Sequence, residues 1–238
     1  MSDAEISTQL MDRFRKLPVT AIASAVGGSG YPITSMTGVH NRRPGRRLVG
    51  RARTVRYVPY RPDIYERTNH DDDAPEYHAM ASCGPGDVLV AETGRAIDAA
   101  VGGDMVLLHL QMVKAEGLVT DGSVRDLAAI LEYGYDVWTG GVTLAGRVGL
   151  LVSLEHGGVI SCGGMTVCPG DLIVGDDDGI TCVPKPVAQR VMESAEHHEA
   201  LEEKIKQMIL DDNVPPGKYY NEATFKKLEA QEAGRKGT

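Results

Sequence analysis

Aromatic side chains are scarce in this chain, with one Trp and two Phe among 238 residues. That scarcity argues against an aromatic stacking platform for single-stranded nucleic acid. Positive charge is also in deficit. The formal net charge of −8 argues against non-specific affinity for nucleic acid or anionic membranes. No run of eighteen apolar residues occurs, so no membrane span is expected. The start, Met1-Ser2-Asp3-Ala4-Glu5, is acidic and lacks the basic and apolar regions of a signal peptide. Cysteine pairs at C-x-x-C spacing are missing. Cys83, Cys162, Cys168 and Cys182 therefore read as free thiols of a reducing compartment, and the cytoplasm is the expected location. A phosphate loop is missing too. Gly27-Gly28-Ser29-Gly30 has no following Lys-Ser/Thr and trails a helix pattern, so it reads as a turn.

What is present centres on residues 117–126, Gly-Leu-Val-Thr-Asp-Gly-Ser-Val-Arg-Asp. The apolar run is expected to end at a turn pair, Asp121-Gly122. Arg125 is permanently cationic and can grip a carboxylate through two parallel hydrogen bonds. Asp126 is an acceptor-only anion suited to a hard divalent cation. Side by side, they suit a substrate that bears a carboxylate and needs a metal. They also suit a plain surface ion pair. Upstream, Gly102-Gly103-Asp104 opens the apolar segment Met105 to Val113. Glycines let a ligand approach the backbone, and a helix starting at Asp104 would offer free N–H groups to a carboxylate. Asp104 could equally cap that helix.

Hydrophobic periodicity organises the rest. Residues 5–26 read as two helices broken at Pro18. Seven arginines fall between Arg42 and Arg56, but Leu48 to Val58 alternates apolar and charged residues, which is a half-buried strand rather than a nucleic-acid patch. Residues 59–78 are expected to be an irregular excursion. His70 beside Asp71-Asp72-Asp73 is a weak metal candidate there, since acid runs are usually solvated. Strand 87–91, helix 104–116, strand 117–120, helix 124–133 and strand 136–139 then alternate, predicting an α/β layer structure with parallel neighbours. Short strands follow over 148–154, 159–162, 165–167, 171–175 and 179–183. Ser161 to Met165 reads as a hairpin and Asp176-Asp177-Asp178-Gly179 as a turn, without the spacing of a calcium loop. A long helix spans 187–210. His198 and Glu202 share one of its faces, and a solvated face is the alternative reading. Pro215-Pro216 ends it before a polar tail over 219–238. Lys114, the obvious imine-forming lysine, sits in a helix with no sign of a pocket.

Taken together, Gly84-Pro-Gly-Asp-Val-Leu-Val90, Gly102-Gly-Asp104, Gly117 to Asp126, Gly163-Gly164, Pro169-Gly-Asp-Leu-Ile173 and Asp176-Asp-Asp-Gly179 resemble the RraA-like family, in family order over roughly residues 48–185. Its best-characterised enzymes are class II 4-hydroxy-4-methyl-2-oxoglutarate aldolases that also decarboxylate oxaloacetate. Two departures stand out. The acid usual in the segment matching Ala21 to Ala25 is absent, and the 59–78 insertion is longer than usual.

The resemblance implies a layered α/β/β sandwich over residues 1–186. A C-terminal helix and tail, 187–238, would pack on a neighbouring subunit. It implies homo-trimers or homo-hexamers with sites between subunits, a small 2-oxo acid as substrate, and Mg²⁺, Mn²⁺ or another divalent cation as cofactor. Asp126 would hold the metal, Arg125 the substrate and Asp104 a water. Gly103 and the backbone N–H groups of Met105 and Val106 would hold the pyruvate carboxylate. Glu199 or Glu202 of a neighbour would complete the site. The rival class is a non-catalytic regulator that binds a ribonuclease. Regulators of that kind end soon after the core, whereas this chain carries a further helix with Glu199 and Glu202. A methyltransferase is excluded, because no G-x-G fingerprint follows a strand.

Overall fold

The computed structural model describes residues 5–69 and 72–236. Met1 to Ala4, His70 and Asp71, on which the leader and metal readings above partly rest, lie outside them. Two helices open the chain, α1 (Thr8–Phe14) and α2 (Val19–Gly28). The Ser7 hydroxyl accepts the Leu10 N–H at 3.2 Å and starts α1. Pro18 stands just before α2, where a missing N–H costs nothing.

The central strand is β2 (Leu48–Pro59), which follows the short β1 (His40–Asn41). The expected alternation holds, and its arginines are paired within the fold. Arg51 Nε lies 2.9 Å and Arg53 Nε 3.1 Å from the Asp87 carboxylate. Arg56 spans Glu92 and Glu155 at 3.1 and 2.9 Å. Beyond β2 come α3 (Pro62–Thr68) and α4 (Pro75–Ala81). The insertion is thus not irregular, as its prolines suggested. Pro62 and Pro75 each occupy a first helical turn, with Asp63 and Glu76 on the favourable side of the helix dipole.

The next elements are β3 (Asp87–Glu92), α5 (Asp104–Met112), β4 (Gly117–Val124), α6 (Leu127–Glu132) and β5 (Val137–Val142). They give the expected parallel run β2-β3-β4-β5 with helical crossovers. Asp121-Gly122 is not a turn. β4 runs through both residues, and its register against β5 shifts between Thr120 and Ser123. One extra residue bulges there. Helix α6 accordingly starts at Leu127 rather than 124.

Strands β6 (Leu151–His156), β7 (Ile160–Cys162), β8 (Met165–Val167), β9 (Leu172–Gly175) and β10 (Ile180–Val183) complete the layers. The sheet order is β1-β5-β4-β3-β2-β9-β10, with β6 also on β2. β7 and β8 form the expected hairpin. The long strand β2 therefore pairs with β9 through its first half and with β6 through its second, which nearly closes the sheet. One core lies under α4, α5 and α6, and a second lies inside the sheet around Trp138. A third joins α1 and α2 to α7 (Ala188–Asp212) through Val191, Met192 and Ala195. The mixed α/β class is as expected. The last segment is no extended tail. Helix α8 (Glu222–Lys236) folds back on α7, where Lys204 meets Glu232 and His198 stacks on Phe225 at 5.2 Å. Among the described residues no helix is long and apolar enough to cross a membrane.

Candidate active site

The bulge in β4 organises the site. Asp121 is buried and faces the loop after β3, where it accepts the Thr93 N–H at 2.7 Å, the Thr93 hydroxyl at 3.0 Å and the Arg95 N–H at 3.2 Å. The loop then runs alongside the end of β4. The Ser123 hydroxyl donates to Ile97 O at 2.6 Å, Val101 N–H to Ser123 O at 2.9 Å, and Arg125 N–H to Gly102 O at 3.1 Å. Six fixed hydrogen bonds thereby seat Gly102-Gly103 against Arg125-Asp126. The sequence kept these two segments apart, and the fold brings them into contact.

That contact requires glycine. A Cβ at Gly103 would collide with the Asp126 carboxylate and lie 3.0 Å from Arg125 Cγ. Asp126 itself adopts a left-handed backbone, φ 55° and ψ 33°, unusual outside glycine and asparagine. This conformation turns its side chain back toward Arg125, whose Nε lies 3.2 Å from Asp126 Oδ2. Both side chains stay about half exposed, at 49% and 43%. The charges are available to a ligand rather than spent on each other.

Asp104 is the first residue of α5, and Gly103 is its cap, which makes no side-chain cap bond. The capping role weighed for Asp104 is therefore not what the structure shows. Its carboxylate instead receives a long hydrogen bond from the Tyr133 hydroxyl at 3.4 Å. Burial and that carboxylate push the Tyr133 phenol above its ordinary range. The first intrahelical bond of α5 is Leu107 N–H to Gly103 O. The N–H groups of Asp104, Met105 and Val106 are thus left at the helix start without backbone partners.

Two clefts meet at this point. One, of about 570 Å³, is lined by Gly102, Gly103, Val106 and Arg125, and then by Arg147, Val148 and the insertion residues Tyr65, Asn69 and Tyr77. The other, of about 610 Å³, contains Asp104 and Asp126 beside Val142, Thr143 and Leu144. The structure thus gathers Gly103, Asp104, Val106, Arg125 and Asp126. Met105 is 72% exposed at the rim. Glu199 and Glu202 are not brought to them within one protomer. They line a separate hollow of about 290 Å³ on α7, where Tyr220 OH donates to Glu202 at 2.7 Å and His198 Nε2 lies 3.2 Å from it. Lys114 is exposed at the far end of α5 with φ 59°.

Among the described residues no three His, Cys, Asp or Glu side chains gather into a metal-binding group. The hard oxygen pair Asp104 and Asp126 in one cleft nonetheless fits magnesium, which keeps several waters and needs only one or two carboxylates. Sequence reasoning missed the other end of the cleft. Arg147 there pairs with Glu76, whose side chain is 2% exposed. The signal that could have revealed it is Pro75-Glu76, a helix start inside the supposed excursion.

The chain is thus a layered α/β protein whose glycine-seated Arg–Asp pair opens onto two adjoining clefts. The RraA-like family model (Aldolase/RraA) matches residues 8–182, and the chain belongs to that family. It is 31% identical over 220 residues, 90% of this chain and 93% of the relative, to a Halalkalibacterium halodurans protein named "Putative 4-hydroxy-4-methyl-2-oxoglutarate aldolase". Among solved structures it is similar to Streptomyces coelicolor RraAS2, described as an unusual member of the RNase ES inhibitor RraA protein family. That match has a TM-score of 0.78 and 26% identity, over 86% of this chain and 99% of that one. An uncharacterised protein of Pseudomonas syringae pv. tomato shares the fold at TM-score 0.79 and 22% identity, over 92% and 95%.

Proposed function

We propose that the chain is a divalent-metal-dependent lyase that cleaves a carbon–carbon bond in a 2-oxo acid and releases pyruvate. The reading is that of a 4-hydroxy-4-methyl-2-oxoglutarate aldolase that also decarboxylates oxaloacetate. One observation carries it. The Arg125 guanidinium, the Asp126 carboxylate and the free N–H groups at the start of α5 converge on the backbone of Gly102-Gly103. The aldolase name of the 31% identical relative supports it.

In this reading the N–H groups of Met105 and Val106 receive the substrate carboxylate. Asp126 holds Mg²⁺ or Mn²⁺, which when bound supplies an electron sink for the electrons of the broken bond. Arg125 donates to the oxygen that gains negative charge as pyruvate leaves as its enolate. Asp104, the other acid of that cleft, positions a water that takes the 4-hydroxyl proton in aldol cleavage and returns one to carbon 3. Glu199 of a neighbouring subunit completes the site. It is preferred over Glu202 because Tyr220 and His198 already engage Glu202. The apolar rim of both clefts supports a homo-trimer or hexamer. Leu144 is 98% and Val148 90% exposed in the isolated chain, and side chains of that kind need cover.

The test is pyruvate release from 4-hydroxy-2-oxo acids and from oxaloacetate, with Mg²⁺ and after exhaustive chelation. Turnover should vanish on chelation and return with the ion. Full turnover without metal would sink the mechanism. The similarity to RraAS2 keeps a second reading alive, a protein-binding regulator of a ribonuclease. Inhibition of an RNase E-type enzyme by a chain that releases no pyruvate from any substrate would establish it.

A further inference from the structure

The chain is poor in aromatic residues, yet three of its nine tyrosines, Tyr60, Tyr65 and Tyr77, fall within the insertion. Tyr65 on α3 and Tyr77 on α4 both stand in the wall of the 570 Å³ cleft that Gly103 and Arg125 line. Neither ring is there to hold the insertion down. Helix α3 buries no residue, and α4 is seated through Glu76, Ala79 and Met80. The fastening between the two helices is polar, with Thr68 Oγ1 3.1 Å and Asn69 Nδ2 3.0 Å from Ser153 O. Tyr65 and Tyr77 stay 42% and 38% exposed. The Tyr60 ring leans on Tyr65, with centroids 5.7 Å apart and a tilt of 47°, and the Tyr60 N–H is held by Leu150 O at 2.9 Å. Ala74, Val106 and Val148 add apolar surface to the cleft wall, and the charge of Arg147 is matched by buried Glu76.

Two half-exposed phenol rings on separate helices offer broad, rigid surface at little cost in conformational freedom. A cleft of this volume holds far more than a three-carbon acid. We propose that Tyr65 and Tyr77 form an aromatic subsite, and that the chain cleaves 4-aryl-4-hydroxy-2-oxobutanoates to pyruvate and an aromatic aldehyde. The reaction rests on the lyase reading, and the ring subsite does not. The bond between carbons 3 and 4 breaks, and its electron pair stays on carbon 3 in the pyruvate enolate. The 4-hydroxyl gives up its proton as carbon 4 becomes the aldehyde carbonyl, and carbon 3 takes one proton in return. No oxidant or reductant enters. The flat ring on carbon 4 lies against the tyrosines, so the insertion selects an uncharged departing half.

Binding and turnover test the two parts separately. The full-length protein, with Mg²⁺, is titrated calorimetrically with 2-oxo-4-phenylbutanoate, which has the ring but no 4-hydroxyl and is not cleaved, and with 2-oxooctanoate. Both are monoanions with an apolar tail, so the ratio of their affinities reads the ring alone. The wild type should prefer the phenyl acid by about 5- to 10-fold, the scale of a ring contact beyond its buried area. In the double variant Tyr65→Leu, Tyr77→Leu the ratio should fall toward one. The double variant Tyr65→Phe, Tyr77→Phe keeps both rings and must keep the preference. A wild type indifferent to the ring, or an unchanged ratio in the leucine variant, overturns the subsite. Turnover is then read as benzaldehyde and pyruvate released in equal amounts from 4-hydroxy-4-phenyl-2-oxobutanoate. Release of pyruvate from 4-hydroxy-4-methyl-2-oxoglutarate but not from the phenyl substrate overturns the aryl activity and leaves the lyase reading standing. Release from no substrate at all overturns the lyase reading, and with it the aryl activity, while a ring preference in binding stands.

Discussion

The two arginines that line one cleft, Arg125 and Arg147, belong to carboxylate pairs of opposite character. Arg125–Asp126 is open, with side chains 49% and 43% exposed. Arg147–Glu76 is shut in, at 22% and 2%. The first pair is made by adjacent residues and a left-handed backbone, and little of its charge is neutralised by surroundings. The second spans 71 positions of sequence and ties the insertion to the loop before β6. Exposed pairs contribute about 0–1 kcal/mol to stability, while breaking a buried one leaves an uncompensated charge and costs several times that. The adjacent, exposed pair is the one proposed for the chemistry, and the distant, buried pair ties the insertion to the loop before β6.

The sharpest way to break this contrast is through activity. Asp126→Ala should abolish pyruvate release with the fold intact. Arg125→Lys keeps the charge but loses the two-pronged grip, and kcat should fall on the order of 10²–10³. Wild-type turnover in either variant would remove the pair from the chemistry. A second cut tests the neighbour's contribution. Asp126→Ala and Glu199→Ala homo-oligomers should each be inactive, whereas co-expressed mixtures should recover part of the activity at interfaces where intact halves meet. Mixtures as dead as their parents would place the whole site in one chain.

Stability offers a smaller contrast. Arg147→Met should lower unfolding free energy by about 3 kcal/mol through the stranded Glu76. Arg125→Met should change it by at most about 1 kcal/mol. Equal losses in urea titrations would erase the distinction. The smallest effect is in pH. Burial raises the Glu76 carboxyl above its usual range, so its favourable contribution is full below the unfolded value and fades as pH climbs through the raised one. Glu196 has the opposite sign. Its hydrogen bond from Arg13 lowers its value, so the stability it adds is present above the unfolded value and lost as pH falls through the folded one. Glu196→Gln should therefore flatten the acid limb of the stability curve, and Glu76→Gln should remove the loss of stability that Glu76 brings as pH climbs above the unfolded value. An acid limb unchanged in Glu196→Gln would discount the α1–α7 tie.

Much of this was legible before folding. Period-two alternation in Leu48–Val58 is enough to find the central strand, because one face must be buried. The alternating elements from Asp87 to Val142 gave the parallel run for the same reason. The two segments of the site, Gly102–Asp104 and Arg125–Asp126, were visible as residue types suited to anions and metals. Their contact was not, since it depends on a loop pinned by Asp121, a residue that reads locally as half of a turn. Turn chemistry was overridden there by burial in a sheet. The insertion was misjudged because a high density of Pro and Asp resembles loop composition, although Pro62 and Pro75 stand where helices begin. Arg147 carried no local signal at all. Its meaning comes from a partner far away in sequence.

The extra residue in β4 has a consequence for alteration of the chain. Side chains on a strand alternate between two faces, so a bulge resets which face each later residue occupies. Thr120 opposes Thr139 and Ser123 opposes Gly141, three steps on one strand against two on the other. Deleting Gly122 would restore even counting, and every position from Ser123 onward would change sides. The Ser123 and Arg125 links to the glycine loop would then point away from it. Parity, rather than any one side chain, is what a shortened β4 would lose, and no compensating substitution at Arg125 or Asp126 could return it.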